Sequence, residues 1–101
     1  MQYDIKVGPA AARQLRKIDG RVLRQVAAKI DSLALDPRPR GCEKLSGYDD
    51  LYRVRVGDYR IVYGVEDRLV LIVVLRVGNS AEVYQRIRDS DLDFLRRLIG
   101  R

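Results

Sequence analysis

An α+β fold built on one sheet is predicted by three observations. Residues 51–77 hold a cluster of short runs with the two-residue period of half-buried strands: Tyr52, Val54 and Val56 alternate with Arg53 and Arg55, then Tyr59, Ile61 and Tyr63 with Arg60 and Val62. Upstream of them, apolar residues recur at helical spacing in two consecutive segments, and a third such segment closes the chain. Gly and Pro fall between these runs and not within them, so local breaks and periodicity agree.

Tyr3 to Val7 reads as the first strand, with Tyr3, Ile5 and Val7 alternating against Asp4 and Lys6, and it enters the sheet as an edge. Gly8-Pro9 ends it and opens a helix with proline at the first helical position, where a missing N–H costs nothing. Ala11, Leu15 and Ile18 form that helix's apolar stripe; Asp19-Gly20 breaks it, and Asp19 is placed to cap the next helix. In the second helix Val22, Val26, Ile30 and Leu33, joined by Leu23, Ala27 and Ala34, face inward until Asp36-Pro37 stops it. The helices are expected on one face of the twisted sheet, with the helical hairpin packed there, and residues 38–50 read as loop.

The three-stranded antiparallel meander follows. Gly57-Asp58 makes a two-residue turn, which pairs Val56 with Tyr59, Arg55 with Arg60, Val54 with Ile61, Arg53 with Val62 and Tyr52 with Tyr63. The third strand, Leu69 to Val77, has an apolar run from Leu69 to Leu75 and reads as buried on both faces. Its register has two solutions. A two-residue loop at Asp67-Arg68 sends Arg76 to the core side, whereas a loop one residue longer sends it beside Arg60. Ser80 to Arg88 is consistent with a short helix, and Ser90 with Asp93 offers a capping box for the last helix, whose stripe is Leu92, Leu95, Leu98 and Ile99.

At 101 residues the chain is one domain, residues 1–101, with room for a single core. No secretory h-region or membrane-length apolar segment is present, so a cytoplasmic location without membrane attachment is expected. With no histidine and Cys42 as the single cysteine, disulfide frameworks, thiolate or imidazole metal sites and histidine-based nucleophiles are excluded; no cofactor or metal is expected. A net charge of +6 and a pI near 9.8 favour an anionic partner.

The strand pattern puts Arg53, Arg55 and Arg60 on the sheet face opposite the helical hairpin, in a shallow concavity. Arg55 then stands directly across the ladder from Arg60. Like charges in that position oppose folding by a few tenths of a kcal/mol, and such a local violation points to function. Guanidiniums on a stiff sheet form a fixed grid suited to a polyanion, most simply phosphate. The rival reading is a solvated, aggregation-resistant surface. Tyr52 and Tyr63 read as core aromatics paired across the ladder.

Three stretches, Lys44-Leu45-x-Gly47, the run from Leu51 to Tyr63, and Val74-Leu75-Arg76-Val77-Gly78 followed by Glu82-Val83-Tyr84, resemble RelE-type toxins of the RelE/ParE superfamily over nearly the whole chain. The resemblance implies a RelE-like fold and a small bacterial toxin that enters the ribosomal A site, cuts mRNA and is neutralised by a cognate RelB-like antitoxin. Carried over by position, it implies catalytic roles for Arg53, Arg55, Arg60 and Tyr84, and RNA binding by Lys44, Arg76 and Arg86. One departure stands out: where the family has His-Arg or several basic residues after the Val-Gly step, this chain has Asn79-Ser80-Ala81. Arg76 or Arg86 is the available substitute.

RNA cleavage by a ribose 2′-hydroxyl requires a proton acceptor, stabilisation of the phosphorane and help for the leaving oxygen. Without histidine, charge stabilisation carries most of the catalysis. Arg60 suits the phosphorane clamp, with Arg53 and Arg55 orienting the backbone. Tyr84 serves as base in an arginine field that lowers its pKa, or stacks on a nucleobase; Glu82 and Asp58 are other acceptors. The last helix either covers apolar sheet or competes with an antitoxin helix for the same groove, and the late, charge-flanked position of Leu92, Leu95 and Ile99 favours the latter. Two rivals from other classes are a ParE-type inhibitor of DNA gyrase and a degenerate member that only binds RNA or its antitoxin.

Overall fold

The computed structural model describes residues 2–48, 50–79, 83 and 87–100. Strand β1 (Asp4–Val7) leads through Gly8 into α1 (Pro9–Leu15) and α2 (Gly20–Leu33). A two-residue strand β2 (Glu43–Lys44) precedes the meander β3 (Leu51–Val56), β4 (Tyr59–Glu66) and β5 (Leu71–Gly78), and α3 (Asp89–Ile99) ends the chain. The sheet has five strands in the order β1-β5-β4-β3-β2, with β1 parallel to β5 at one edge and every other pair antiparallel. Pro9 takes the first helical position as its fixed φ predicts. Asp19 occupies the N-cap of α2, but its side chain makes no capping hydrogen bond.

The helices lie on both faces of the sheet, not on one. On the first face, Ala11, Val26, Ile30 and Leu33 of the helical hairpin pack on Val54, Ile61, Tyr63, Val65, Ile72, Val74 and Val77. On the second, Leu92, Phe94, Leu95 and Leu98 of α3 cover Leu51, Leu71, Val73 and Leu75. The cause is β5. Its uninterrupted apolar run presents side chains alternately to each face, and leaving Leu71, Val73 and Leu75 in water would forfeit about 2 kcal/mol each. Gly64 lets α3 approach, since a Cβ there would lie 3.4 Å from Leu95 Cδ1 and 3.3 Å from Leu51 Cδ2.

The loop prediction for residues 38–50 missed β2, which is two residues long and pairs Glu43 with Arg53 and Lys44 with Tyr52. The third meander strand begins two residues later than its apolar run, because Asp67–Leu69 form a 3-10 turn and Val70 adopts a left-handed conformation, φ 52° and ψ 51°. Arg76 is placed by a bulge instead of by loop length. Val62 pairs with Arg76 and Tyr63 with Val74, so Leu75 is the extra residue and both Leu75 and Arg76 turn toward α3. The short helix expected over 80–88 falls for the most part outside the described residues. Helix α3 starts at Asp89, ahead of the expected Ser90 cap; its capping contact runs from the Arg88 backbone N–H to Asp91 Oδ2 at 2.9 Å.

Candidate phosphate-binding face

The hairpin that carries the arginines has the register its sequence dictates: Val56 with Tyr59, Arg55 with Arg60, Val54 with Ile61, Arg53 with Val62 and Tyr52 with Tyr63. Gly57 sits at φ +58° while Asp58 stays outside the left-handed region, the sign pattern of a type II′ turn, whose twist suits a two-residue hairpin. Residues opposite one another in a ladder project from the same face. Arg53, Arg55 and Arg60 therefore share the α3 side of the sheet, at the hairpin end that α3 leaves uncovered.

Toward β5 the pattern continues. Arg60 pairs with Gly78 and Val62 with Arg76, which sets Arg76 diagonally across from Arg60 on the same face of the adjacent strand, a separation of about 7–8 Å in such ladders. The side chain of Val83 lies over Gly78, since a Cβ there would meet Val83 Cγ2 at 3.3 Å. Arg53, Arg55, Arg60 and Arg76 thus occupy three adjacent strands on a rigid layer.

Among the described residues, Arg53 and Arg76 have carboxylate partners. Arg53 ion-pairs with Glu43, its cross-strand neighbour on β2. Arg76 is held more tightly: Nε and Nη2 donate to Asp91 Oδ2 at 3.0 and 2.9 Å, and the two side chains are 12% and 7% exposed. Arg55 is exposed, whereas Arg60 is half-buried. Lys44 stands opposite Tyr52, so it projects from the other face and does not join the grid. Asp58 is exposed in the hairpin turn. Tyr84, Arg86 and Glu82 lie outside the described residues.

Tyr52 and Tyr63 are structural. Their rings stack with centroids 6.0 Å apart, and Tyr63 is fully buried with its hydroxyl donating to the Pro37 carbonyl at 2.8 Å. Burial, reinforced by nearby Cys42, pushes the Tyr63 phenol well above its ordinary range, which removes it as a base. On the same side of the sheet, Arg38 donates to both oxygens of Asp67 at 3.2 and 3.0 Å and to the Tyr52 hydroxyl at 2.9 Å, and the Tyr3 hydroxyl donates to Asp67 at 2.7 Å. Reading the sequence missed this brace; its members are 29 and 64 residues apart in the chain, so no local pattern announces it.

The described residues of the face supply fixed positive charge. Among the described residues no cluster of acidic, cysteine or histidine groups is arranged to hold a metal ion. Glu43 and Asp91, which meet the grid among the described residues, are each engaged by an arginine. Pre-placed guanidiniums aimed at one surface are the elements of electrostatic catalysis on phosphate, where donors need no reorganisation as charge develops.

The family model described as ParE toxin of type II toxin-antitoxin system, parDE, matches residues 5–84. Over 88 residues the chain is 32% identical to mRNA interferase toxin RelE of Escherichia coli K12, covering 83% of this chain and 92% of that protein. Over 87 residues it is 29% identical to Toxin RelG of Mycobacterium tuberculosis, covering 85% of this chain and all of the relative. Its fold is similar to that of a variant E. coli RelE toxin in the free state, with a TM-score of 0.71 and 31% identity over 84% of this chain and 93% of that one. It is also similar to a chain of the toxin-antitoxin complex RelBE2 from M. tuberculosis, with a TM-score of 0.72 and 28% identity over 80% and 94% of the two chains.

Proposed function

We infer, for a chain that belongs to the ParE toxin family of type II toxin-antitoxin systems as a RelE-type toxin of the RelE/ParE superfamily, that its arginine face binds messenger RNA on the ribosome and cleaves it. The observation that carries this reading is the placement of Arg55 directly opposite Arg60, with Arg53 and Arg76 on the same face. A fold that tolerates such repulsion at a fixed site gains most from an occupant that carries negative charge.

In the reaction, a ribose 2′-oxygen attacks the adjacent phosphorus, the bond to the 5′-oxygen breaks, and a 2′,3′-cyclic phosphate and a 5′-hydroxyl result. Arg60 grips the non-bridging oxygens and stabilises the phosphorane. Arg53 and Arg55, both on the neighbouring strand β3, orient the backbone beside it. An arginine side chain is a donor only, so none of them accepts the 2′ proton. Tyr84 takes that proton or stacks on a base, and the ribosome supplies the in-line arrangement of the strand, which is worth several orders of magnitude in rate. A cognate antitoxin of RelB type holds the protein inactive, in keeping with the complex in which the similar M. tuberculosis chain was solved.

A second reading is inhibition of DNA gyrase without RNA cleavage. It is favoured by the match to a ParE family model and by Asn79-Ser80-Ala81 in place of basic residues. Induced expression followed by primer extension on translated transcripts separates the two. Codon-phased breaks that disappear in Arg60→Ala, together with relief of growth arrest, support the nuclease; arrest with intact transcripts and an SOS response supports the gyrase inhibitor and overturns the first reading.

A further inference from the structure

Beyond the grid, on the far side of Arg76, α1 and α3 flank a cleft of about 420 Å³. Its charged lining consists of Arg13, Arg76, Arg88, Arg97 and Asp91, with Ser90 at the same wall. Helical spacing explains the convergence: Arg13 stands one turn beyond Pro9 in α1, and Arg97 stands two turns beyond Ser90 in α3, so each helix turns one stripe toward the other.

Among the described residues, four guanidiniums meet one carboxylate there, and that carboxylate is spent. Asp91 Oδ2 receives Arg76 Nε, Arg76 Nη2 and the Arg88 backbone N–H at 3.0, 2.9 and 2.9 Å, and Asp91 is buried. Arg13, Arg88 and Arg97 are exposed and make no ion pair among the described residues. Solvated arginines on one helix would be ordinary surface. Three of them, one from α1, one from α3 and one at the N-cap of α3, facing one walled space of small-molecule size, concentrate positive potential in a low-dielectric wall, where it attracts an anion most strongly.

We propose that this α1–α3 cleft is a second phosphate site, in which Arg13, Arg88 and Arg97 bind a backbone phosphate of the same RNA strand whose reacting phosphate lies on the sheet. Arg76 joins the two sites, because its strand position abuts Arg60 while its side chain forms a wall of the cleft. The strand therefore crosses from β3 over β4 and β5 and leaves the sheet between the two helices. The proposal rests on the RNA reading given above and adds where the strand goes.

The test uses fluorescence anisotropy with uncleavable 2′-O-methyl RNA, a trinucleotide and a nonanucleotide, across a series of salt concentrations. In Arg13→Gln/Arg97→Gln, nonanucleotide affinity is expected to fall about tenfold and the salt slope of its log affinity by about 1, as for loss of one or two phosphate contacts. The trinucleotide, which spans the grid alone, is expected to bind as to the parent chain, whereas Arg60→Ala weakens both. Both positions are exposed, and thermal melts check that the double variant is folded. An unchanged nonanucleotide affinity and slope overturns the cleft and leaves the RNA reading intact; equal weakening of both oligonucleotides also overturns it, as a diffuse charge effect. Failure of the parent chain to bind either oligonucleotide overturns the cleft, while the ribosome-dependent reading is decided by the primer extension described above. If polyglutamate binding depends on Arg13 and Arg97 while the nonanucleotide does not, the cleft takes an acidic protein instead and the proposal fails.

Discussion

Arg76 and Asp91 tie the centre of the sheet to the first turn of the last helix: two guanidinium nitrogens of Arg76 donate to one oxygen of Asp91, which also accepts the Arg88 backbone N–H. One carboxylate thus closes the start of α3 and neutralises the innermost arginine of the basic face. Both partners are nearly buried, so each depends on the other to offset its desolvation.

Asp91→Ala is accordingly expected to lower stability by about 3 kcal/mol, because it strands a buried guanidinium and removes the helix cap together. Arg76→Met/Asp91→Leu, which replaces the pair with apolar groups, is expected to recover most of that loss. Urea denaturation of the three proteins checks the order, and a double variant no more stable than Asp91→Ala would show that the single substitution acts through α3 packing instead.

Across the β3–β4 ladder the opposite trade holds. Arg55 faces Arg60, so Arg55→Thr removes a like-charge contact and adds a residue of high strand propensity. Stability should rise by about 0.5 kcal/mol, while binding of single-stranded RNA weakens. A urea midpoint and an anisotropy titration on the same preparation measure both, and a variant that gains stability with undiminished RNA binding would remove Arg55 from the site.

The hairpin register was legible in the sequence because Gly57-Asp58 leaves two residues for the turn, and every pairing from Tyr52–Tyr63 to Val56–Tyr59 follows from that count. The face of Arg76 was not, since a bulge at Leu75 moves it without any change in the alternation of neighbouring residues. Coverage of the second face was implicit in the unbroken apolar run of β5, which needs helices on both sides, although helix order alone suggested one. The partner of Arg53 stayed hidden because β2 is too short to show a period; Glu43-Lys44 ahead of Leu45 was the available hint. The Arg38–Asp67 brace joins two loops through side chains alone, and nothing short of the folded chain brings them together.

Val70 holds a left-handed conformation that costs a side-chain-bearing residue about 1–2 kcal/mol, and β-branching makes it less favourable still. Its backbone is fixed from both directions, by an N–H donated to Asp67 at 3.2 Å and a carbonyl accepting from Asp4 at 2.9 Å. Val70→Gly should therefore relieve strain without moving β1 or β5. Part of the gain is lost to the freer unfolded chain, leaving a net stabilisation of about 0.5 kcal/mol. Calorimetry reads the result, and destabilisation would mean that the half-buried valine side chain contributes more than its backbone costs.

Asp67 predicts how stability responds to pH. Hydrogen bonds from Arg38 and then Tyr3 hold its carboxyl below the ordinary range, while the Asp67 contact raises the Tyr3 phenol above its own. A depressed carboxyl contributes stability that is complete above its unfolded value, near 3.9, and that disappears as pH falls through the lower folded value. A raised phenol works in the other sense: its contribution is complete below its unfolded value, near 10, and disappears as pH rises through the folded one. Asp67→Asn should thus lower the melting temperature by a few degrees at neutral pH and by progressively less toward both extremes. The effect stays small because the Asp67 side chain is 57% exposed and solvent screens the pair. Melting curves of the two proteins from acid to alkaline pH trace the difference, and an offset that stays constant across the range would mean that the brace acts through packing and not through charge.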